Sequence, residues 1–222
     1  MNKKIISIML SGLFMMTMVS CTNKEKMNGS SANKEVITIE DEELKGKWAA
    51  DYSRDEVQEL HEEILERVKN ACIIYELENE YSLHEEVKDE NGTTVNRDGL
   101  YLEIPEPESN RVESMTYELV QNGTDLSSGQ LMLKIGFNLD AEAIKEEGKF
   151  EFEMTAMSTF SEAFTGNEDR DYTKLNKEIY DTIINNPGIS KVENQLDGLS
   201  EIIIIANDYL IYTLQSKEYK FK

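Results

Sequence analysis

Gln130-Leu-Met-Leu-Lys-Ile-Gly-Phe-Asn-Leu139 decides how the chain is read. Leu131, Leu133, Ile135, Phe137 and Leu139 fall on every second position, with Gln130, Met132, Lys134, Gly136 and Asn138 between them. A period of two puts successive side chains on opposite sides of a β-strand. One side of this strand is therefore wholly apolar and the other largely polar. Such a strand belongs in a sheet covered on one face, which is the usual condition of antiparallel sheets.

Working outward, neighbouring segments repeat the pattern at hairpin-sized intervals. Arg111–Val120 places Met115, Tyr117 and Leu119 on one side and meets the first strand across the turn signal Asn122-Gly123. Leu100–Ile104 alternates and stops at Pro105-Glu106-Pro107, because proline cannot donate to a ladder. Asp89-Glu90-Asn91-Gly92 predicts a tight turn between short polar strands at Leu83–Lys88 and Thr93–Asn96. Downstream, Lys149–Met157 predicts a strand with Phe150, Phe152, Met154 and Ala156 inward, followed by a loop over Ser158–Arg170. Ile189–Leu196 and Tyr209–Leu214 predict further strands, the latter after a turn at Asn207-Asp208. Ile202–Ile205 is apolar on both sides and predicts a central strand covered on both faces.

Two segments have helical spacing instead. Ser53-Arg54-Asp55-Glu56 is a capping box, and Val57, Leu60, Ile64, Val68, Cys72 and Tyr75 follow at intervals of three and four. This helix should end between Tyr75 and Tyr81. Tyr172, Leu175, Ile179 and Ile183 form a second stripe, ended by Asn186-Pro187-Gly188. A shorter helix is predicted at Asp140–Glu147, between an aspartate cap and Gly148. The fold class is thus α+β, a mainly antiparallel sheet with about two amphipathic helices packed on one face. A helix followed by strands occurs twice, at 53–157 and 171–216, without matching residues between the halves.

The first residues carry a different signal. Lys3 and Lys4 precede an apolar run from Ile5 to Val19, too short for the roughly 20 residues of a membrane-spanning helix. Met18-Val19-Ser20-Cys21 resembles the lipobox of bacterial lipoproteins, although Met18 stands where leucine is usual. The resemblance implies diacylglyceration of the Cys21 thiol, cleavage before Cys21, and an acylated anchor on the extracytoplasmic face of the cell membrane. If the cell has an outer membrane, that is a further destination, because Thr22 is not the aspartate that retains many lipoproteins at the inner one. Residues 1–20 therefore read as a signal peptide. Residues 21–50 read as the lipidated cysteine and a tether, since Thr22–Glu35 holds only Met27 and Ala32 as apolar side chains. Residues 51–222 read as the acidic α+β domain.

Charge and composition narrow the partners. The signal holds two of the 23 basic residues and none of the 44 acidic ones, so the remainder carries a formal −23. That excludes nucleic acid, which requires a basic face. It also disfavours direct contact with anionic lipid, so membrane residence falls to the anchor at Cys21. A basic or envelope-protein partner is electrostatically the easier one. Cys72, the only other cysteine, sits in the apolar stripe of the first helix and reads as a core residue. Trp48, the only tryptophan, reads as a lid on the core.

Motifs for catalysis fail on spacing. His61-Glu62-Glu63 and His84-Glu85-Glu86 begin like a zincin helix, but Leu65 and Lys88 stand where the second histidine is needed. Asn167, Asp169, Asp171 and Glu178 have the spacing of a calcium loop. However, Tyr172 occupies its glycine position and Lys174 an apolar one, which leaves a weak candidate. Neither a metal nor another cofactor is otherwise expected. The expected function is a non-catalytic binding or interaction domain held at the membrane, presenting an acidic sheet face or edge. A carboxylate-based hydrolase of envelope material, with two convergent acids in a pocket, and a scaffolding lipoprotein are the alternatives.

Overall fold

The computed structural model describes residues 44–221 apart from Asn91, Pro187 and Asn207. Cys21, the lipobox and the Thr22–Glu35 stretch lie outside the described residues. Eight strands form one sheet in which every pairing is antiparallel. The expected architecture is therefore present, and its covered face carries four helices.

A 3₁₀ turn at Lys47–Ala49 leads to α1 (Arg54–Ile74), then to a meander of β1 (Tyr81–Glu90), β2 (Thr93–Glu103), β3 (Arg111–Asn122) and β4 (Ser128–Asn138). Three helices follow, α2 (Ala141–Glu147), α3 (Ala156–Thr165) and α4 (Thr173–Asn185). A second meander of β5 (Ser190–Leu196), β6 (Leu199–Ile205) and β7 (Tyr209–Gln215) precedes the short β8 (Tyr219–Lys220). The strand order is β1-β2-β3-β4-β7-β6-β5, with β8 pairing to the start of β4. The last strands of the two meanders, β4 and β7, meet at the centre. The two helix-plus-strands halves therefore share one sheet and one core cluster.

Helix α1 starts as its capping box dictates: Ser53 Oγ accepts from the Glu56 N–H, and the Glu56 carboxylate accepts from the Ser53 N–H at 2.8 Å. Val57, Leu60, Ile64, Val68, Ala71 and Cys72 are its buried stripe. In α2 the Asp140 carboxylate caps the Ala143 N–H at 3.0 Å, and Gly148 closes the helix in the left-handed region. The β5–β6 loop is Asp197-Gly198, both residues with positive φ, as a type I′ hairpin demands. No larger residue fits at 198, because a Cβ there would stand 2.6 Å from the Ala49 nitrogen.

Four sequence expectations change. The stretch Lys149–Met157 is not a strand. It holds a 3₁₀ turn at Phe152–Met154, with Met154 74% exposed, and then enters α3. The expected loop 158–170 is largely α3, whose Met157, Phe160 and Phe164 are buried at helical spacing above a left-handed Gly166. The segments at 93–96 and 100–104 are parts of one strand, β2. Strand β6 is not central but one in from the edge. Ile203 and Ile205 are buried under helices, whereas Ile202 and Ile204 face the other side and are half-buried.

The domain also begins before residue 51. Trp48 is 1% exposed and stacks on Phe164 at 5.2 Å with the rings 6° from parallel. The Lys47 N–H donates to the Asp197 carboxylate, the Trp48 N–H to the Asp197 carbonyl, and the Tyr219 hydroxyl to the Trp48 carbonyl. Residues 44–50, assigned above to the tether, are packed parts of the fold, and the lid role expected of Trp48 is the one it has.

Candidate functional surface

Two buried polar networks stand out as sites for chemistry. In the first, His61 on α1 is 1% exposed. Its Nδ1 lies 2.9 Å from the Tyr117 hydroxyl and its Nε2 3.3 Å from the Asp98 carboxylate. A carboxylate only accepts, so Nε2 carries a proton toward Asp98; the Tyr117 hydroxyl donates to the His61 carbonyl at 3.1 Å and lies against Nδ1. Burial pushes the His61 pKa below its ordinary value, against the opposing pull of Asp98. Burial likewise raises Tyr117 well above its own. The carboxylate–imidazole–hydroxyl chain looks like a proton relay, but Tyr117 has no exposed surface, so no substrate reaches its end. It ties α1 to β2 and β3.

The second network centres on Glu201 of β6, a carboxylate 1% exposed. Arg170 donates to both its oxygens, at 2.7 and 2.9 Å, and the Tyr212 hydroxyl donates to one of them at 2.7 Å. Ser161 of α3 is 3.1 Å from the same hydroxyl, and the guanidinium lies over the Tyr172 ring at 4.8 Å. Three donated bonds thus meet its two oxygens. This bidentate pair pins the α3–α4 connection onto the sheet.

The residues singled out from sequence separate into ordinary roles. Cys72 is fully buried, and burial pushes its thiol up to about 11. The Asn167 side chain accepts from the Asp169 N–H within its own loop, and Asp171 accepts from the Thr173 N–H at the start of α4. Glu178 accepts from the Asn194 amide of β5. Among the described residues no group of three or more His, Cys, Asp or Glu side chains could hold a metal ion. Tyr212 and Tyr219 are core residues, while Tyr209 is half-buried.

The clefts are open and shallow. One of about 440 Å³ lies between α1 and α3 and contains Arg67, Glu162 and Glu168. Burial raises the Glu162 carboxyl, Glu168 adds to the effect, and a hydrogen bond from Tyr172 opposes it. Another of about 430 Å³ is framed by Tyr75, Leu77 and the β2–β3 connection.

The larger feature is the second face of the sheet. The cross-strand register puts Leu131, Leu133, Ile135 and Phe137 of β4 on the same side as Tyr117 and Met115 of β3 and Leu214, Tyr212 and Leu210 of β7, all buried under the helices. No described helix lies on the opposite side. Ile204 stands opposite Ile211, and Ile202 opposite Thr213, which faces Lys134, Thr116 and Tyr101 in turn. These side chains are half-buried or exposed rather than enclosed. The face is not acidic: Glu86, Glu90, Glu103, Glu118 and Glu193 are nearly balanced by Lys88, Arg97, Lys134 and Lys191. Arg97 bonds both Glu118, at 2.8 Å, and Glu90, at 3.4 Å. The negative charge of the chain is therefore carried chiefly by the helices, loops and strand β1. The alternation of polar and apolar residues made this face legible. Its electrical balance was hidden, because it requires the register.

Among the described residues no helix is long and apolar enough to cross a membrane. Comparisons with protein-family models, with curated proteins and with solved structures give no match to this chain.

Proposed function

We propose that the chain is a lipid-anchored extracytoplasmic lipoprotein whose folded domain is a non-catalytic binding module for another envelope protein. The observation that carries the binding half is a wide, nearly neutral sheet face on which no described helix lies, in an otherwise acidic molecule. A domain that leaves Ile202 and Ile204 of β6 and Ile211 of β7 half-buried on such a face has surface suited to a partner. The anchoring half rests on the Met18–Cys21 motif and its apolar approach. The test pairs two measurements on the full chain. Cys21→Ala should move the protein out of the membrane fraction. A photo-crosslinker placed at Thr213 should capture a discrete partner, and Ile204→Glu should abolish that product, whereas the same crosslinker at the exposed Lys177 of α4 should give none. A firmly membrane-bound Cys21→Ala protein, or identical products from both crosslinker positions, would overturn the respective half.

The second reading is a carboxylate hydrolase at the α1–α3 cleft. What favours it is the raised Glu162 beside Glu168 and Arg67. Glu168 sits exposed on the α3–α4 loop, and Glu162 already accepts from Tyr172 at 3.3 Å, which leaves little of a held pair. Release of soluble fragments from purified cell wall by the wild type but not by Glu162→Gln would establish this reading over the first.

A further inference from the structure

We propose that the free edge of β1 is a strand-addition site for a basic, extended polypeptide segment. The inference rests on the reading of the domain as a binding module and names a second surface and its partner chemistry.

Strand β1 ends the sheet order. All ten of its residues pair with β2 on one side, and no described strand lies on the other. In an antiparallel ladder alternate residues direct their N–H and C=O to each side, so about five residues of β1 offer both groups outward. Natural edges are usually kept short, bulged or covered. The opposite edge, β5, follows that practice. It has seven residues, its Val192 packs against the core, and its Asn194 is bonded to Glu178 of α4.

On β1 the cover is missing. Helix α1 packs over β3 and β4. On the helix side of β1 only Tyr81 reaches the core, while Leu83 is 57% and Val87 65% exposed. These two side chains share a face about 13 Å apart, at roughly 3.3 Å per residue. A strand added alongside would bring its own alternate side chains about 5 Å from each and shield both.

The charges select the occupant. Glu76, Glu78 and Glu80 precede the strand, and Glu85, Glu86, Asp89 and Glu90 lie along it. Lys88 of the same strand is paired with Glu86, and Arg97 of β2 with Glu90, so the carboxylates on the side of Leu83 and Val87 are Glu85 and Asp89. Edge charges commonly prevent self-pairing, and the excess of carboxylates does so here, because a second β1 would bring its own carboxylates opposite these. The same excess favours a Lys- or Arg-bearing strand. Main-chain bonds would supply affinity, and apolar residues beside Leu83 and Val87 would set register.

The test uses the full chain and a fluorescent ten-residue peptide alternating Lys and Val. A second version is N-methylated at every second residue, on the edge that faces β1 when its valines lie beside Leu83 and Val87. Anisotropy should show binding of the first peptide and at least tenfold weaker binding of the methylated one. Leu83→Glu and Val87→Glu should each weaken binding at least tenfold, Ile204→Glu on the uncovered face should leave it unchanged, and a Glu-for-Lys peptide should not bind. The outward β1 amides should exchange more slowly in the complex. Equal binding of the methylated peptide would mean mere ionic adsorption and would overturn the proposal, as would no binding at all. Loss of binding in Ile204→Glu but not in the β1 variants would also overturn it while leaving the binding-module reading intact. That reading fails separately, through the crosslinking result above.

Discussion

Replacing Arg170 by leucine removes the one cation among the described residues that is bonded to a carboxylate 1% exposed, from a pair whose other member is 12% exposed. Glu201 would keep only the Tyr212 hydroxyl as a partner. Breaking one side of such a buried pair costs about 3–5 kcal/mol, because the remaining charge is stranded away from water. A domain of this size loses roughly 2–4 °C of melting temperature per kcal/mol, so Arg170→Leu should melt about 6–20 °C lower. Tyr212→Phe removes one hydrogen bond to the same carboxylate and should cost less, about 1.5–3 kcal/mol. The informative variant is the double change Arg170→Leu/Glu201→Leu, which removes both charges. It should be more stable than either single variant, giving a coupling of about 2 kcal/mol or more in a double-mutant cycle. Chemical denaturation followed by far-UV circular dichroism measures the wild type, Arg170→Leu, Glu201→Leu, the double variant and Tyr212→Phe. A cost below about 1 kcal/mol for Arg170→Leu, the level of an exposed ion pair, would refute the claim that this network is a buried tie between the α3–α4 connection and the sheet.

Three further outcomes follow from the packing. The depressed His61 pKa means that the folded state binds fewer protons than the unfolded one below the ordinary value of 6.5. Stability should therefore fall as pH drops through and below that value. The melting curve of His61→Gln should lack that component between pH 7.5 and 5, and parallel pH profiles for the two proteins would count against it. In a Cys21→Ala background, Cys72 should resist a thiol reagent at pH 8 until the protein unfolds, since burial holds its pKa near 11; prompt labelling of the native protein would contradict a core position. Removing everything before residue 51 deletes Trp48, 1% exposed and stacked on Phe164, and should cost about 3–5 kcal/mol, as for Trp48→Ala.

Much of the secondary structure was written in local periodicity. The alternation of Leu131 to Leu139, the Ser53–Glu56 capping box, and the Asp140 and Gly148 limits of α2 each depend on neighbours a few residues away, and each appears as read. Helix α3 was misread because alternation at Phe150, Phe152, Met154 and Ala156 competed with helical spacing at Met157, Phe160 and Phe164. Only burial separates them, with Met154 outside and Phe164 under Trp48. Asp197-Gly198 is a local hairpin signal as well, with both residues at positive φ.

By itself the sequence determined the fold class, the one-sided sheet, the core position of Cys72 and the failure of the zinc spacing, because all of these follow from the identity and order of nearby residues. The tertiary structure alone decided that β4 pairs with β7 and joins two meanders, and that Trp48 stacks on Phe164. It also decided that Arg170 closes on Glu201, that the uncovered face is electrically balanced, and that β1 stands beyond the reach of α1. Each of these joins residues far apart in the chain. Periodicity says which side of an element is buried, but not what buries it, and charge opposes charge only once the register has brought the strands together.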